Sequence, residues 1–395
     1  MKTNQIYQLI NAVESCMTGG AGITVTDTAS FLSYGATTLA GGVENFYQSM
    51  ADRIGRTIVL YEELAKKNLI ERQSVLEFGA VLQTIEVKTI ADAEENQSWA
   101  TDSKSPYKQT AVNPFDVIKQ DSTDLLTQYF SKRGAWEHNK LIWDYQLRDA
   151  FTSESAFGAF VEMVFQDMYN AMTLAENSIQ HAALSTSIAS AVHAGESKPK
   201  MARNLLKEYN TATGSTLTVA TALINRDFLA FAANEILLAV KKMRDPSMFY
   251  NELGATKWTD NASVKVLSDF STALDTYLAS NTYHDEMVRL PGYDELNFWQ
   301  GQATDGTFES VSTVHIQVHD GDADDTGTEV KQSGVIATIY DPRRVGYMFD
   351  RIRTKSIYNP ASECTAYFHK ADKGMYLNRA RNCIVFYLAE EVTGA

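Results

Sequence analysis

The sequence predicts an α+β fold with more than one compact part, and three observations carry that reading. The stretch from Thr152 to Val192 contains no proline and keeps apolar residues at helical spacing throughout. The C-terminal third holds short β-rich runs, VSTVHIQVHD at 311–320, GVIATIYD at 334–341 and the IVFYL patch near the end. Between 216 and 340, helical and strand patterns alternate, and no internal repeat is visible. A chain of 395 residues is long enough for two or three compact units with a sizeable core.

The first 55 residues open with a short amphipathic segment (Ile6, Leu9, Ile10, Val13). A Gly/Ser/Thr-rich stretch follows, TGGAGITVTDTASFLSYGATTLAGG, whose polarity and breakers predict an extended arm. Helical spacing returns from Val43 to Arg53. TIVLY at 57–61 and VLEFGAVLQTIEVKTI at 75–90 read as strands flanking a charged excursion, EELAKKNLIERQS, which suggests a long projecting hairpin. Residues 91–125 are polar, carry Pro106 and Pro114, and read as extended chain.

Order resumes at YFSKRGAWEHNKLIWDYQLRDAF (129–151), with Trp136 and Trp143 among alternating residues. The long helix follows, with Thr152, Ser153 and Ser155 as candidate N-caps, Phe157, Phe160, Val161, Val164, Met168, Met172, Ala175, Ile179 and Ala182 in register, and Gly195 to close it. Such a helix runs roughly 50–60 Å and needs a wide surface to lie across. Residues 196–215 read as a polar link. Beyond them come a helix ending at Asp245-Pro246, a strand in SVKVLSD and a helix in DFSTALDTYLAS. After the strands at 311–320 and 334–341, the tail is again β: RIRTKSIY, ECTAYFHKA and MYLNRARNCIVFYLAEE.

Composition narrows the function classes. A content of 44% hydrophobic and 21% charged residues excludes fibrous and disordered chains. Lys+Arg 35 against Asp+Glu 49 gives a net charge of -14, which disfavours a protein that grips phosphate backbones. Cys16, Cys364 and Cys383 are odd in number and lack framework spacing, so a reduced, intracellular setting is expected. MKTNQIYQLINAVES lacks the apolar core of a signal peptide, and no run nears the ~20 residues of a membrane span. A soluble protein with no membrane partner is the expectation.

Motifs for chemistry fail on spacing. His315 and His319 share one face of a strand, but zinc requires further ligands that the three cysteines do not supply, so solvent-facing histidines are favoured. DGDADDTG supplies Asp320, Asp322, Asp324 and Asp325, yet a calcium loop needs Gly where Asp325 stands and Glu where Lys331 stands. A solvated acidic hairpin tip is the better reading. TGGAG at 18–22 lacks the Gly-Lys-Ser/Thr of a phosphate loop, and neither G-x-S-x-G nor H-E-x-x-H occurs. No cofactor, metal or catalytic residue is expected, and the sequence reads as that of a non-enzyme.

The order of parts is arm, projecting hairpin, extended chain, strand, very long helix, α/β unit and terminal strands. With it, QSMADRIGRTIVL, YFSKRGAWEHNKLIWDYQLRDAF and DKGMYLNRARNCIVFYLAEE are similar to the major capsid proteins of small short-tailed bacteriophages. The resemblance spans roughly 40–395 and implies the Hong Kong 97-type capsid fold. On that pattern, 1–55 is an N-terminal arm, 56–125 an extended β-hairpin loop, and 126–215 a peripheral domain with a spine helix at about 153–194. An axial domain at 216–340 and returning C-terminal strands at 341–395 complete it.

The resemblance further implies a shell of hexamers and pentamers around double-stranded DNA, enclosed without sequence-specific binding. It implies virion localisation, assembly in the host cytoplasm, a portal and, because the arm is short, a separate scaffolding protein. The acidic balance suits a wall that does not stick to the genome. Some relatives weld subunits through a loop lysine, which makes Lys66, Lys67, Asn68 and Arg72 assembly candidates, with solubilising or ion-pairing roles as the default. An encapsulin-like nanocompartment shell, another virion part, or an intracellular enzyme with an unrecognised site are the alternatives.

Overall fold

The computed structural model describes residues 3–18, 24–41, 68–72, 82–89, 124–130, 134–279, 292–300, 310–319 and 327–390. The helical pattern at Val43–Arg53, the TIVLY strand, nearly all of the polar chain at 91–125 and the acidic run Asp320–Asp325 lie outside them. The chain divides into two compact units, each assembled from three separate stretches.

The first unit takes residues 1–80, 132–183 and 346–376. The amphipathic start is helix α1 (Thr3–Thr18), and Ile6, Leu9, Ile10 and Val13 are all buried as their spacing requires. The following stretch corrects the sequence reading: Thr28–Gly41 is a second helix, α2, where breakers predicted extended chain. Its start is a reciprocal cap in which Ser30 N donates to Asp27 Oδ1 (2.7 Å) and Asp27 N to Ser30 Oγ (3.0 Å). The buried face is Phe31, Tyr34, Gly35 and Thr38, at i, i+3, i+4 and i+7. Gly35 is required, because a Cβ there would stand 2.7 Å from the Phe151 ring. Phe31, Phe151 and Phe157 form a ring triplet with centroids 5.0–5.8 Å apart.

A four-stranded sheet completes this unit. Its order is β1 (Glu71–Arg72), β11 (Val345–Asn359), β12 (Cys364–Leu377) and β4 (Gly134–Trp143). β4 and β12 pair antiparallel from Cys364↔Trp143 to Lys373↔Gly134. After β4, Asp144–Ala150 forms α3 and Glu154–Gly195 forms α4, a helix of 42 residues. At 1.5 Å per residue α4 runs about 63 Å. Ser153 caps it, accepting from Ala156 N at 3.1 Å.

The second unit takes residues 81–131, 184–345 and 377–395. Its part of α4 is small-residue rich, with Ser185, Ser187, Ala189, Ser190 and Ala191 buried, which lets neighbouring chain approach closely. The five-stranded sheet has the order β5 (Ala202–Asn204), β13 (Cys383–Tyr387), β10 (Val335–Tyr340), β6 (Ser263–Leu267) and β7 (Asp294–Leu296). Apolar side chains of β6, β10 and β13 pack with the buried face of α7 (Arg226–Lys242): Phe228, Leu229, Ala232, Ile236 and Val240.

The supposed polar link at 196–215 is β5 followed by α5 (Leu205–Thr213), whose Leu205, Leu206 and Tyr209 are buried. Val219–Ala222 is a single helical turn, α6. Ser268–Ala273 is α8, which relaxes into a π-helical turn over Leu274–Ala279. β8 (Val314–Val318) and β9 (Thr328–Gln332) pair antiparallel, from Val314↔Gln332 to Val318↔Thr328. Gly334 sits at φ +70 between β9 and β10, where a Cβ would lie 2.2 Å from the Leu388 carbonyl oxygen.

Candidate assembly surfaces

β2 (Leu82–Val87) and β3 (Leu125–Phe130) form a two-stranded antiparallel ribbon in the second unit. β2 pairs with β3, 38 positions beyond it, and the first strand of the expected hairpin, 57–61, lies outside the described residues. Alternate residues point to opposite faces. The register Gln83↔Tyr129, Ile85↔Thr127, Val87↔Leu125 puts these six side chains on one face, and all six are exposed. That face carries no charge, and Ile85 and Tyr129 are 60% and 65% exposed. Four of its side chains, Ile85, Val87, Leu125 and Tyr129, are large and apolar.

The opposite face carries Leu82, Thr84, Glu86, Leu126, Gln128 and Phe130, and all but Leu82 are partly covered. Glu86 is the centre of a polar cluster. Asn378 Nδ2 and Arg381 Nε donate to its Oε1 at 2.6 and 3.0 Å, and Lys257 Nζ lies 2.8 Å from Oε2. Burial alone would raise the Glu86 carboxyl; the contacts with Lys257 and Asn378 and the Arg381 charge overcome this and hold it below the usual carboxylate range. Arg381 also lies 3.6 Å from Asp341.

A second ionic cluster is deeper. Glu252 pairs with the wholly buried Arg344, accepts from Arg379 Nε at 2.5 Å and from Ser190 Oγ at 2.7 Å. Arg344 further donates to Ser187 Oγ and to the Arg381 carbonyl, both at 2.9 Å. Burial would raise the Glu252 carboxyl, but the two arginines keep it below its ordinary range. Within the MYLNRARNCIVFYLAEE run expected to be β, Arg379 and Arg381 sit in the turn after β12, where their side chains serve these two clusters.

Of the sequence-derived assembly candidates, Lys66 and Lys67 lie outside the described residues. Asn68 is exposed. Arg72 is drawn into the first unit: it donates to the Phe349 carbonyl at 2.6 Å and lies 3.9 Å from Glu176, to which Tyr347 OH also donates. His315 lies 2.5 Å from Glu329 across the β8–β9 hairpin. Among the described residues no cluster of His, Cys, Asp or Glu could hold a metal ion, and no helix is long and apolar enough to cross a membrane. Cys364 and Cys383 are buried free thiols.

The α+β fold is that of phage capsid subunits. It superposes on a chain of the capsid structure of Staphylococcus phage Andhra with a TM-score of 0.53 at 12% identity, covering 83% of this chain and 86% of that one. A chain from the structure of the head fiber and inner core protein gp22 of native bacteriophage P68 gives a TM-score of 0.50 at 11% identity, covering 81% and 83%. No curated protein sequence matches. Residues 11–387 match the Phi29-like phage major capsid protein family, and the chain belongs to that family. It is therefore a structural, non-enzymatic protein of the virion that builds the head shell. The nanocompartment and enzyme alternatives are not favoured.

Proposed function

We propose that the subunit has the Hong Kong 97-type plan and forms hexamers and pentamers that close into an icosahedral shell around double-stranded DNA. The observation that carries this is the β2–β3 ribbon, with one face held by polar contacts and the other an uncharged apolar surface open to a neighbouring copy. On this reading 1–55 is the arm, 56–125 the extended loop rooted in the ribbon, and 126–215 the peripheral domain built along α4. Residues 216–340 are the axial domain, and 341–395 supply returning strands. Lys66, Lys67, Asn68 and Arg72 lie within the extended loop as contact candidates. The -14 charge keeps the wall from gripping the genome. Closed rings that tile a surface let modest contacts add up to a durable shell.

A separate scaffolding protein guides curvature, a portal occupies one vertex, and assembly takes place in the host cytoplasm. Sedimentation of the protein expressed alone and with the scaffolding protein of its own phage tests this. Closed particles with six- and five-membered rings are expected when both are present. Equally regular shells without any scaffold would remove the scaffold from the account.

A further inference from the structure

We propose that Glu86 is a releasable ionic clamp that fixes the β2–β3 ribbon against the rest of the second unit, so that its charge governs whether the ribbon is held or free. Two strands alone are marginal in water. None of the ribbon's described side chains belongs to the hydrophobic core of this unit. Charged and polar contacts converge on it instead. Glu86 receives Lys257 from one segment and Asn378 and Arg381 from another, about 120 positions further along.

Further ties lie near Glu86. Thr256 N donates to the Lys88 carbonyl at 2.7 Å and Lys257 Nζ to the Val87 carbonyl at 3.0 Å. Gln128 Nε2 reaches Asn378 Oδ1 at 3.3 Å. Lys257 and Asn378 thus each touch Glu86 and a second ribbon group, Lys257 by an ion pair and Asn378 by a hydrogen bond.

A core of apolar contacts would be indifferent to protonation, whereas this hold is not. The charged groups around Glu86 are Lys257 and Arg381, with Asp341 behind Arg381 and the Lys88–Asp124 pair (3.4 Å) at the ribbon's end. No histidine is among these groups. The Glu86 carboxyl sits below its usual range, so the clamp is complete above the ordinary carboxylate pKa and is lost as pH falls through the lowered one. Its use, setting the angle at which the ribbon meets a neighbouring copy, rests on the shell reading above.

Hydrogen–deuterium exchange of the unassembled full-length subunit tests the clamp apart from assembly. In Glu86→Gln, amides of 82–87 and 125–130 should exchange about tenfold faster at neutral pH, as expected for loss of a charged hydrogen-bond centre. Those of β10 and β13 should not change. After correction for intrinsic rates, wild-type ribbon amides should open on acidification, and Glu86→Gln should show no such step. Lys257→Met, which leaves Arg381 and Asn378 in place, should give a smaller acceleration and serves if Glu86→Gln does not fold. Ribbon exchange unchanged in both variants, acceleration shared equally by β10 and β13, or an acid step retained in Glu86→Gln would overturn the proposal. Loss of shells in these variants bears only on the assembly reading.

Discussion

Arg344 and Glu252, 92 positions apart, form an ion pair whose side chains are almost completely withdrawn from solvent. Around it Arg379, Ser187, Ser190 and the Arg381 carbonyl satisfy the remaining donors and acceptors. Such a pair adds little over an apolar core, but breaking it leaves an uncompensated buried charge.

Arg344→Met should therefore destabilise the second unit by about 3–5 kcal/mol. Chemical denaturation with a signal confined to that unit reads the loss. A midpoint within error of wild type would mean that Arg379 and Ser190, which already contact Glu252, suffice to hold its charge without Arg344.

The first unit should be acid-sensitive through His369. It faces His138 directly across β12 and β4, and its Nδ1 lies 2.7 Å from Thr354 Oγ1. Burial, reinforced by the His138 charge, pushes its pKa from 6.5 down to about 4. The unfolded imidazole binds a proton near its ordinary pKa while the folded one does not. Stability is therefore lost as pH falls from 6.5 towards 4, by about 2 kcal/mol between pH 7 and pH 5. His369→Asn lowers stability at every pH but should flatten this slope. Thermal unfolding of the first unit at the two pH values measures it, and an unchanged slope would assign the sensitivity elsewhere.

The sequence made the long elements legible. α4 was visible because helical spacing runs unbroken past Ser153 for 42 residues, and β10 and β13 because their apolar runs are short and dense. α2 was hidden by Ser, Thr and Gly, residues that favour turns until Phe31 and Tyr34 find a core. α5 was hidden likewise, since Leu205, Leu206 and Tyr209 are too few to stand out from a polar stretch. The ion clusters left no local trace: Glu86 meets Arg381 across 295 positions, and which carboxylate an arginine meets is decided by tertiary structure alone. Resemblance of whole phrases carried the function further than any residue pattern did.

The central claim, that the open face of the β2–β3 ribbon is a contact between shell subunits, is tested most directly by electron microscopy of wild type and Ile85→Asp/Tyr129→Asp under identical assembly conditions. Both side chains are exposed in the subunit, so unfolding midpoints should agree to within about 0.5 kcal/mol. Wild type should give closed shells, and the variant should remain as folded, unassembled subunits or rings. Normal shells from the variant, or a strictly monomeric wild type under every assembly condition, would contradict the account.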